Sequence, residues 1–316
     1  MRKNRRKSRG MLKICTGAAI LSGVVILTIG LRGKKEESGE DEKEKTETVQ
    51  LVVSTENEED EKLDTLEQQL ESITNMADGT YSIYIKDLSS DQELSINNRQ
   101  MYAASLIKLF VMKSVYEHED QIVEYDSAYS GSEEESRGKI GDLLQSMITV
   151  SDNEAYNELV RMHSAYRSFT DGCSQIETYI REQNFTGTGI FHTLSPSSTE
   201  SQCTENRKNY TCAEDCGALL EQIYDGTCVS REASEEMMDL LLEQQVTGKI
   251  PAGVPDTVQT ANKTGETEDV QHDAAIVFGT QTDYILCVMS EDFTDSEAAV
   301  STIQDISSLV YETLNT

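Results

Sequence analysis

Three short groups of residues could carry chemistry. Ser105 and Lys108 stand three residues apart in Ser105-Leu106-Ile107-Lys108. On an α-helix that spacing puts both side chains on one face, one turn apart. A serine hydroxyl is a weak nucleophile at its own pKa, and a desolvated, neutral amine beside it can accept its proton. A helix N-terminus would add positive potential and unpaired N–H groups where an oxyanion forms. Ser151-Asp152-Asn153 is a second polar group, and Lys263-Thr264-Gly265 a third. Each has an ordinary alternative. Ser-x-x-Lys is frequent on helix surfaces, Ser151 or Asp152 would serve as a helix N-cap, and Lys263-Thr264-Gly265 reads equally as a strand-end turn.

The elements around these groups follow from hydrophobic periodicity. Apolar residues at 63, 66, 70 and 73 predict an amphipathic helix over Leu63–Met76. Thr80–Asp87 alternates, and Glu93–Asn97 follows a Ser-Ser-Asp turn, predicting an antiparallel hairpin. Helices are predicted over Ala103–Tyr116, Ile140–Val150, Asn153–His163, Ile176–Glu182, Thr211–Tyr224 and Ala233–Gln244. Residues 184–209 are rich in Thr, Ser and Asn and read as irregular. Strands over Thr257–Lys263, Ala274–Gly279 and Asp283–Ser290 precede a closing helix, Ser296–Leu314. The order predicts an α+β protein: one antiparallel sheet drawn from both chain ends, flanking helices, and an all-helical lobe from the middle. Ser105–Lys108 then opens the most apolar helix, Ser151–Asn153 joins two helices, and Lys263–Gly265 ends a strand.

Three such groups in this order resemble the signature of class A β-lactamases and penicillin-binding proteins. Tyr102-Ala103-Ala104-Ser105-Leu106-Ile107-Lys108 resembles the start of that family's active-site helix. Lys249–Pro255, Ala261–Gly265 and His272–Val277 resemble its last sheet region, so the likeness covers residues 62–316. The resemblance implies a β-lactamase/transpeptidase-like fold and a serine hydrolase. Ser105 would be acylated, Lys108 would take its proton, and Ser151 would pass a proton to the departing nitrogen. Asn153, Lys263, Thr264 and Gly265 would hold the substrate, Lys263 and Thr264 at its carboxylate. The backbone N–H groups of Ser105 and Glu266 would form an oxyanion hole, worth about 3–4 kcal/mol per donor. The substrate would be a β-lactam or a peptidoglycan-stem-like peptide. No cofactor and no metal is expected, and the protein is expected to be a monomer.

Two departures from the family pattern bear on turnover. The glutamate that activates the deacylating water comes from a loop reading E-x-x-L-N. Here Glu205-Asn206-Arg207-Lys208-Asn209 keeps the Glu-to-Asn spacing with Lys208 at the leucine position, and Glu200 is a second candidate. Residues 195–210 are polar and predict a mobile loop, unless a Cys203–Cys212 bridge fixes it. The family's carboxylate-gripping arginine has no copy; His272 falls near its place, beside Gln271. Slow deacylation is the expectation. Two other readings use the same residues: a D-Ala-D-Ala carboxypeptidase or transpeptidase, and a non-turnover β-lactam or cell-wall sensor.

Charge and the N-terminus set the setting. Of 27 Lys and Arg, ten fall within residues 1–35, leaving 17 basic against 57 acidic residues beyond them, a net of −40. Such a field repels phosphate backbones and excludes nucleic-acid binding. Four scattered His and no paired C-x-x-C argue against a zinc site. Ile14–Leu31 is 18 residues without a charge behind a basic tail, which predicts a single-pass anchor with residues 1–13 cytoplasmic. Thirteen residues are too few for a cytoplasmic signalling domain, which weighs against the sensor. Residues 32–61 are rich in Glu, Lys and Thr and predict a disordered acidic linker. Residues 62–316 would then form an extracellular domain at a bacterial cell membrane. Six cysteines follow the span, and the sequence leaves their pairing open.

Overall fold

The computed structural model describes residues 62–194 and 207–316. The predicted anchor and linker, and Glu200, Cys203 and Glu205, lie outside the described residues. A helix over residues 62–76 (α1) opens the described chain. Strands β1 (Thr80–Asp87), β2 (Glu93–Ile96), β5 (Gln259–Glu266), β6 (Val270–Phe278) and β7 (Tyr284–Glu291) form one antiparallel sheet in the order β2-β1-β7-β6-β5. β1 runs beside β7 from Thr80↔Glu291 to Asp87↔Tyr284, so the two chain ends meet at the centre of the sheet. β5 is therefore an edge strand.

Side-chain alternation gives the sheet two buried faces. On one face Ile83, Ile85, Val277, Leu286 and Val288 pack with Leu66 and Leu70 of α1 and with α9 (Ser296–Asn315). On the other, Tyr84, Ala261, Ala274, Ile276 and Cys287 join the core of the helical lobe. That lobe comprises α3 (Glu119–Ser130), α4 (Glu133–Thr149), α5 (Asn153–Met162) and α6 (Phe169–Glu182) around α2 (Ile107–Glu117), with α7 (Ala213–Tyr224) and α8 (Arg231–Leu242) against the sheet. Residues 107–115 of α2 are all buried, Lys108, Lys113 and Ser114 among them, so the helix is enclosed on every side.

Several boundaries differ from the periodicity. α4 begins seven residues before Ile140, at an acidic first turn: Ser132 caps it by accepting from Glu135 N at 3.2 Å, and Glu133–Glu135 face the positive end of the helix dipole. α6 begins at Phe169, capped by Ser168. α3 was not anticipated. It buries only Ile122, Val123 and Asp126, and Asp126 is held by Arg167 and Lys139 in place of an apolar contact. Two residues on each side, β3 (Met101–Tyr102) and β4 (Tyr210–Thr211), form a small second sheet that the periodicity does not announce, and it takes Thr211 from the start of the predicted helix. Cys212 is a free buried thiol, as are Cys216, Cys228 and Cys287, so the Cys203–Cys212 bridge is not made. Among the described residues, Cys173 is the one cysteine engaged in a disulfide.

Candidate active site

The predicted helix from Ala103 is a 3₁₀ turn, Ala104–Leu106, running into α2 at Ile107. Ala104 sits at φ 44°, a left-handed conformation that costs a residue with a Cβ about 1–2 kcal/mol. This strained residue precedes Ser105, as strained backbone commonly does at functional positions. Ser105 lies in the first turn, where N–H groups have no intrahelical acceptor. The turn is pressed against the sheet edge: a Cβ added to Gly265 would meet Ala103 O at 3.0 Å and Leu106 N at 3.2 Å. Glycine at 265 is what permits that approach.

Lys108 is fully buried. Its Nζ has four oxygens in reach: Ser151 O at 2.6 Å, Asn153 Oδ1 at 2.7 Å, Ser105 Oγ at 3.0 Å and Ser151 Oγ at 3.2 Å. Burial pulls its pKa down to about 7, opposed by the charge of Asp152. In the neutral amine, two N–H bonds suffice for Ser151 O and Asn153 Oδ1, which can only accept. The lone pair is left for the hydroxyl of Ser105.

The Ser151-Asp152-Asn153 group divides its duties. Asp152 is the N-cap of α5, accepting from Ala155 N at 2.6 Å. Ser151 takes a left-handed backbone, φ 59°, and points both its carbonyl and hydroxyl at lysines. Lys263, also fully buried, donates to Ser151 Oγ at 2.9 Å and Thr264 O at 2.8 Å. Burial, then the neighbouring Lys108, hold its pKa well below the ordinary lysine value.

The outward face of β5 follows from its pairing. Thr267 N donates to Val270 O at 3.0 Å, and Glu266 faces Gln271 in the next register position. Antiparallel pairs alternate between bonded and non-bonded. Glu266 and Thr264 thus turn their backbone N–H and C=O away from β6, to the free edge beside Ser105. Ser105, Lys108, Ser151, Asn153, Lys263, Thr264, Gly265 and Glu266 therefore converge.

His272 does not join them. It is fully buried, accepts from Ser290 N at Nδ1 (3.1 Å), and so donates from Nε2 to Tyr102 O (2.9 Å). Burial lowers its pKa to about 4. Expected at the substrate carboxylate, it is instead a neutral clasp tying β6 and β7 to β3. Gln271 turns to the other face, donating to Ser296 Oγ at 2.9 Å.

Three residues support the site, and the sequence points to Asn209 alone among them. Asn209 is fully buried; its Oδ1 accepts from Phe191 N (2.7 Å) and His192 N (3.1 Å), and its Nδ2 donates to His192 O (3.1 Å) and Tyr156 Oη (3.2 Å). Its own carbonyl accepts from Ala103 N at 3.0 Å. Asn157 of α5 holds Leu194 through both backbone groups, at 2.9 Å each. Both ends of the segment that contains Glu200 and Glu205 are thereby tied to the site. Lys249, just before the 3₁₀ turn Ile250–Gly253, is buried behind β5 with its Nζ 3.0 Å from Glu266 Oε2. Asn209 had one signal, the Glu-to-Asn spacing; Asn157 had none, and Lys249 none beyond its place in Lys249-Ile250-Pro251.

Among the described residues no group of His, Cys, Asp and Glu is arranged to hold a metal ion. None of the curated proteins matches the chain. Solved structures share its fold. PBP-A is 20% identical over 78% of this chain and 95% of that one, with a TM-score of 0.64. The β-lactamase of Sphaerobacter thermophilus DSM 20745 is 18% identical over 78% and 95%, at 0.62. An ancestral class A β-lactamase is 18% identical over 78% and 99%, at 0.61. The family model described as the beta-lactamase enzyme family matches residues 65–314. With that match spanning the sheet, the helical lobe and all three catalytic-type groups, the chain belongs to the β-lactamase enzyme family.

Proposed function

We propose that the protein is a serine hydrolase acylated on Ser105 by β-lactams or related acyl-D-Ala-like amides, and slow to deacylate. The environment of Lys108 carries this reading: a buried amine with a pKa of about 7 whose Nζ lies 3.0 Å from Ser105 Oγ. In the acylation step Ser105 Oγ bonds to the carbonyl carbon as its proton moves to Lys108 Nζ. The carbonyl oxygen, gaining charge, lies against the N–H groups of Ser105 and Glu266. The C–N bond breaks, and the nitrogen takes a proton through Ser151 Oγ, which lies within reach of both lysines.

Slow deacylation is supported by Asn209. An amide offers two acceptor and two donor positions, and Asn209 has filled all four with protein partners. It has no position left to orient a hydrolytic water for Glu205. A variant of the structurally similar PBP-A is described as an acyl-enzyme complex with penicillin G, and the same trapped state is proposed for this chain.

The setting proposed is the outer face of a cell membrane, reached through the apolar run Ile14–Leu31. The disulfide at Cys173 supports an oxidising compartment. A D-Ala-D-Ala peptidase remains the second reading, favoured by the same filled Asn209, because a peptidase needs no fast β-lactam turnover.

The test is a pulse of fluorescent penicillin followed over time on wild type and Ser105→Ala. Label on wild type that persists, and none on the variant, is expected. Label on Ser105→Ala, or loss at the rate of a resistance enzyme, overturns the reading.

A further inference from the structure

A substrate lying along the free edge of β5 has its carboxylate toward Thr264 and its reacting carbonyl at the N–H of Glu266, so its acyl chain runs on toward Thr267. There the described residues line a cavity of about 510 Å³, the size of a small-molecule site. Tyr102, three residues before Ser105, and His192 line it as a stacked pair, with ring centroids 6.1 Å apart. Lys208, which stands where the family pattern has leucine, lies over the Tyr102 ring with its Nζ 5.4 Å from the centroid. Thr267, Asp269 and Asp292 line the same cavity. Glu291 does so too, and is already matched by Arg99 at 2.6 Å. Lys208, Asp269 and Asp292 are exposed, and among the described residues their charged groups have no ion pair or hydrogen bond.

We propose that this cavity is an acyl-chain subsite for an amino acid zwitterion: Lys208 takes the carboxylate, Asp269 and Asp292 take the ammonium, and the Tyr102–His192 pair packs on the stem that leads back to the scissile amide. The inference rests on the acylation reading above and adds the class of acyl group. A chain with only an anion would meet two carboxylates, and one with only a cation would meet Lys208. A chain ending in both charges satisfies both, and its apolar stem suits the aromatic faces. The carboxylate beside Thr264 is a separate group of the same substrate. Because the three charges are exposed, each charge on the ligand should be worth about fivefold in acylation rate.

Cephalosporin C carries both charges at the end of its acyl chain. N-acetylation removes the ammonium, and amidation of the side-chain carboxyl removes the anion; the nucleus is the same in all three. Acylation of Ser105 by each is followed by mass spectrometry on wild type, Lys208→Met and the double variant Asp269→Asn/Asp292→Asn. Asparagine tolerates the left-handed backbone of Asp292, φ 62°. On wild type, cephalosporin C should react about fivefold faster than either derivative. Lys208→Met should abolish its advantage over the amide, and the double variant its advantage over the N-acetyl compound. Raising the salt concentration should shrink both advantages in wild type. Equal rates for the three compounds on wild type, or an advantage that survives its substitution, overturn this inference alone when benzylpenicillin labels Ser105. If benzylpenicillin leaves wild-type Ser105 unlabelled, the acylation reading falls and this inference with it.

Discussion

The Nζ of Lys108 lies 2.6 Å from the carbonyl oxygen of Ser151, and a left-handed turn at Ser151, φ 59°, aims that carbonyl. Backbone and hydroxyl of one residue thus serve separate lysines. Ser151→Gly keeps the turn and removes the hydroxyl; Ser151→Ala removes the hydroxyl and keeps the strain. Thermal denaturation should find the glycine variant within about 1 kcal/mol of wild type, and at least as stable as the alanine variant. Both should acylate slowly, since the relay to the leaving nitrogen is gone. Wild-type acylation by Ser151→Gly would remove Ser151 from the proton path.

Acylation should follow the protonation of Lys108. Only the neutral amine can take the proton of Ser105, and the pKa is about 7. The second-order labelling rate should rise about tenfold per pH unit below 7 and level off above it. A flat profile from pH 5 to 9 would show that another group is the base.

Acid should destabilise the fold through its buried histidines. His272 and His163 are neutral in the folded protein, each with a pKa lowered by burial to about 4 from 6.5. Between those values the unfolded chain binds more protons, so stability falls as pH drops from 6.5 to 4. Each contributes about 3 kcal/mol to that loss. Asp273, whose carboxyl burial raises from 3.8 to about 6, opposes them between those two values. His272→Gln should therefore lower the slope of unfolding free energy against pH by about one proton. A slope equal to wild type would mean that His272 is not held neutral.

Gly265→Ala should damage acylation more than stability. The added methyl would press on Ala103 O and Leu106 N, driving the edge of β5 from the turn that carries Ser105. Loss of one oxyanion donor costs about 100-fold, and labelling kinetics should show a fall of that order. Labelling within threefold of wild type would place the oxyanion elsewhere.

Asn209→Ala should cost about 3–4 kcal/mol, because it leaves the buried N–H groups of Phe191 and His192 without their acceptor. Urea denaturation measures this directly, and a loss below 1 kcal/mol would contradict the clamp.

Much of this was legible in the sequence because chemistry and periodicity coincide there. Ser105 and Lys108 are one helical turn apart in the most apolar helix, and the strands of β1, β6 and β7 alternate or run apolar without interruption. Side-chain direction was harder. His272 was matched by counting along β6, but its face of the sheet is set by register: it pairs with Gly265 and points at Tyr102, while Gln271 points at α9. Lys249 is brought to Glu266 by the 3₁₀ turn after it, which no local pattern announces. α3 was missed because an ion-paired Asp126 occupies a buried position that a periodicity rule expects to be apolar. The N-cap reading at Ser151-Asp152 was half right: Asp152 took the cap and freed Ser151.

The pairing of β1 with β7 also governs when this protein can exist at all. Thr80 finds its partner at Glu291, more than two hundred residues later. Until synthesis has passed β7, the first hairpin has no neighbour on that side and presents a bare edge. Contacts of such sequence separation make folding slow and dependent on the whole chain. A nascent or C-terminally clipped chain would carry Ser105 and Lys108 yet lack the strands that press on them. Competence to react is therefore acquired late and all at once, when the last strand closes the sheet, and the exposed hairpin is where aggregation would begin if that closure were delayed.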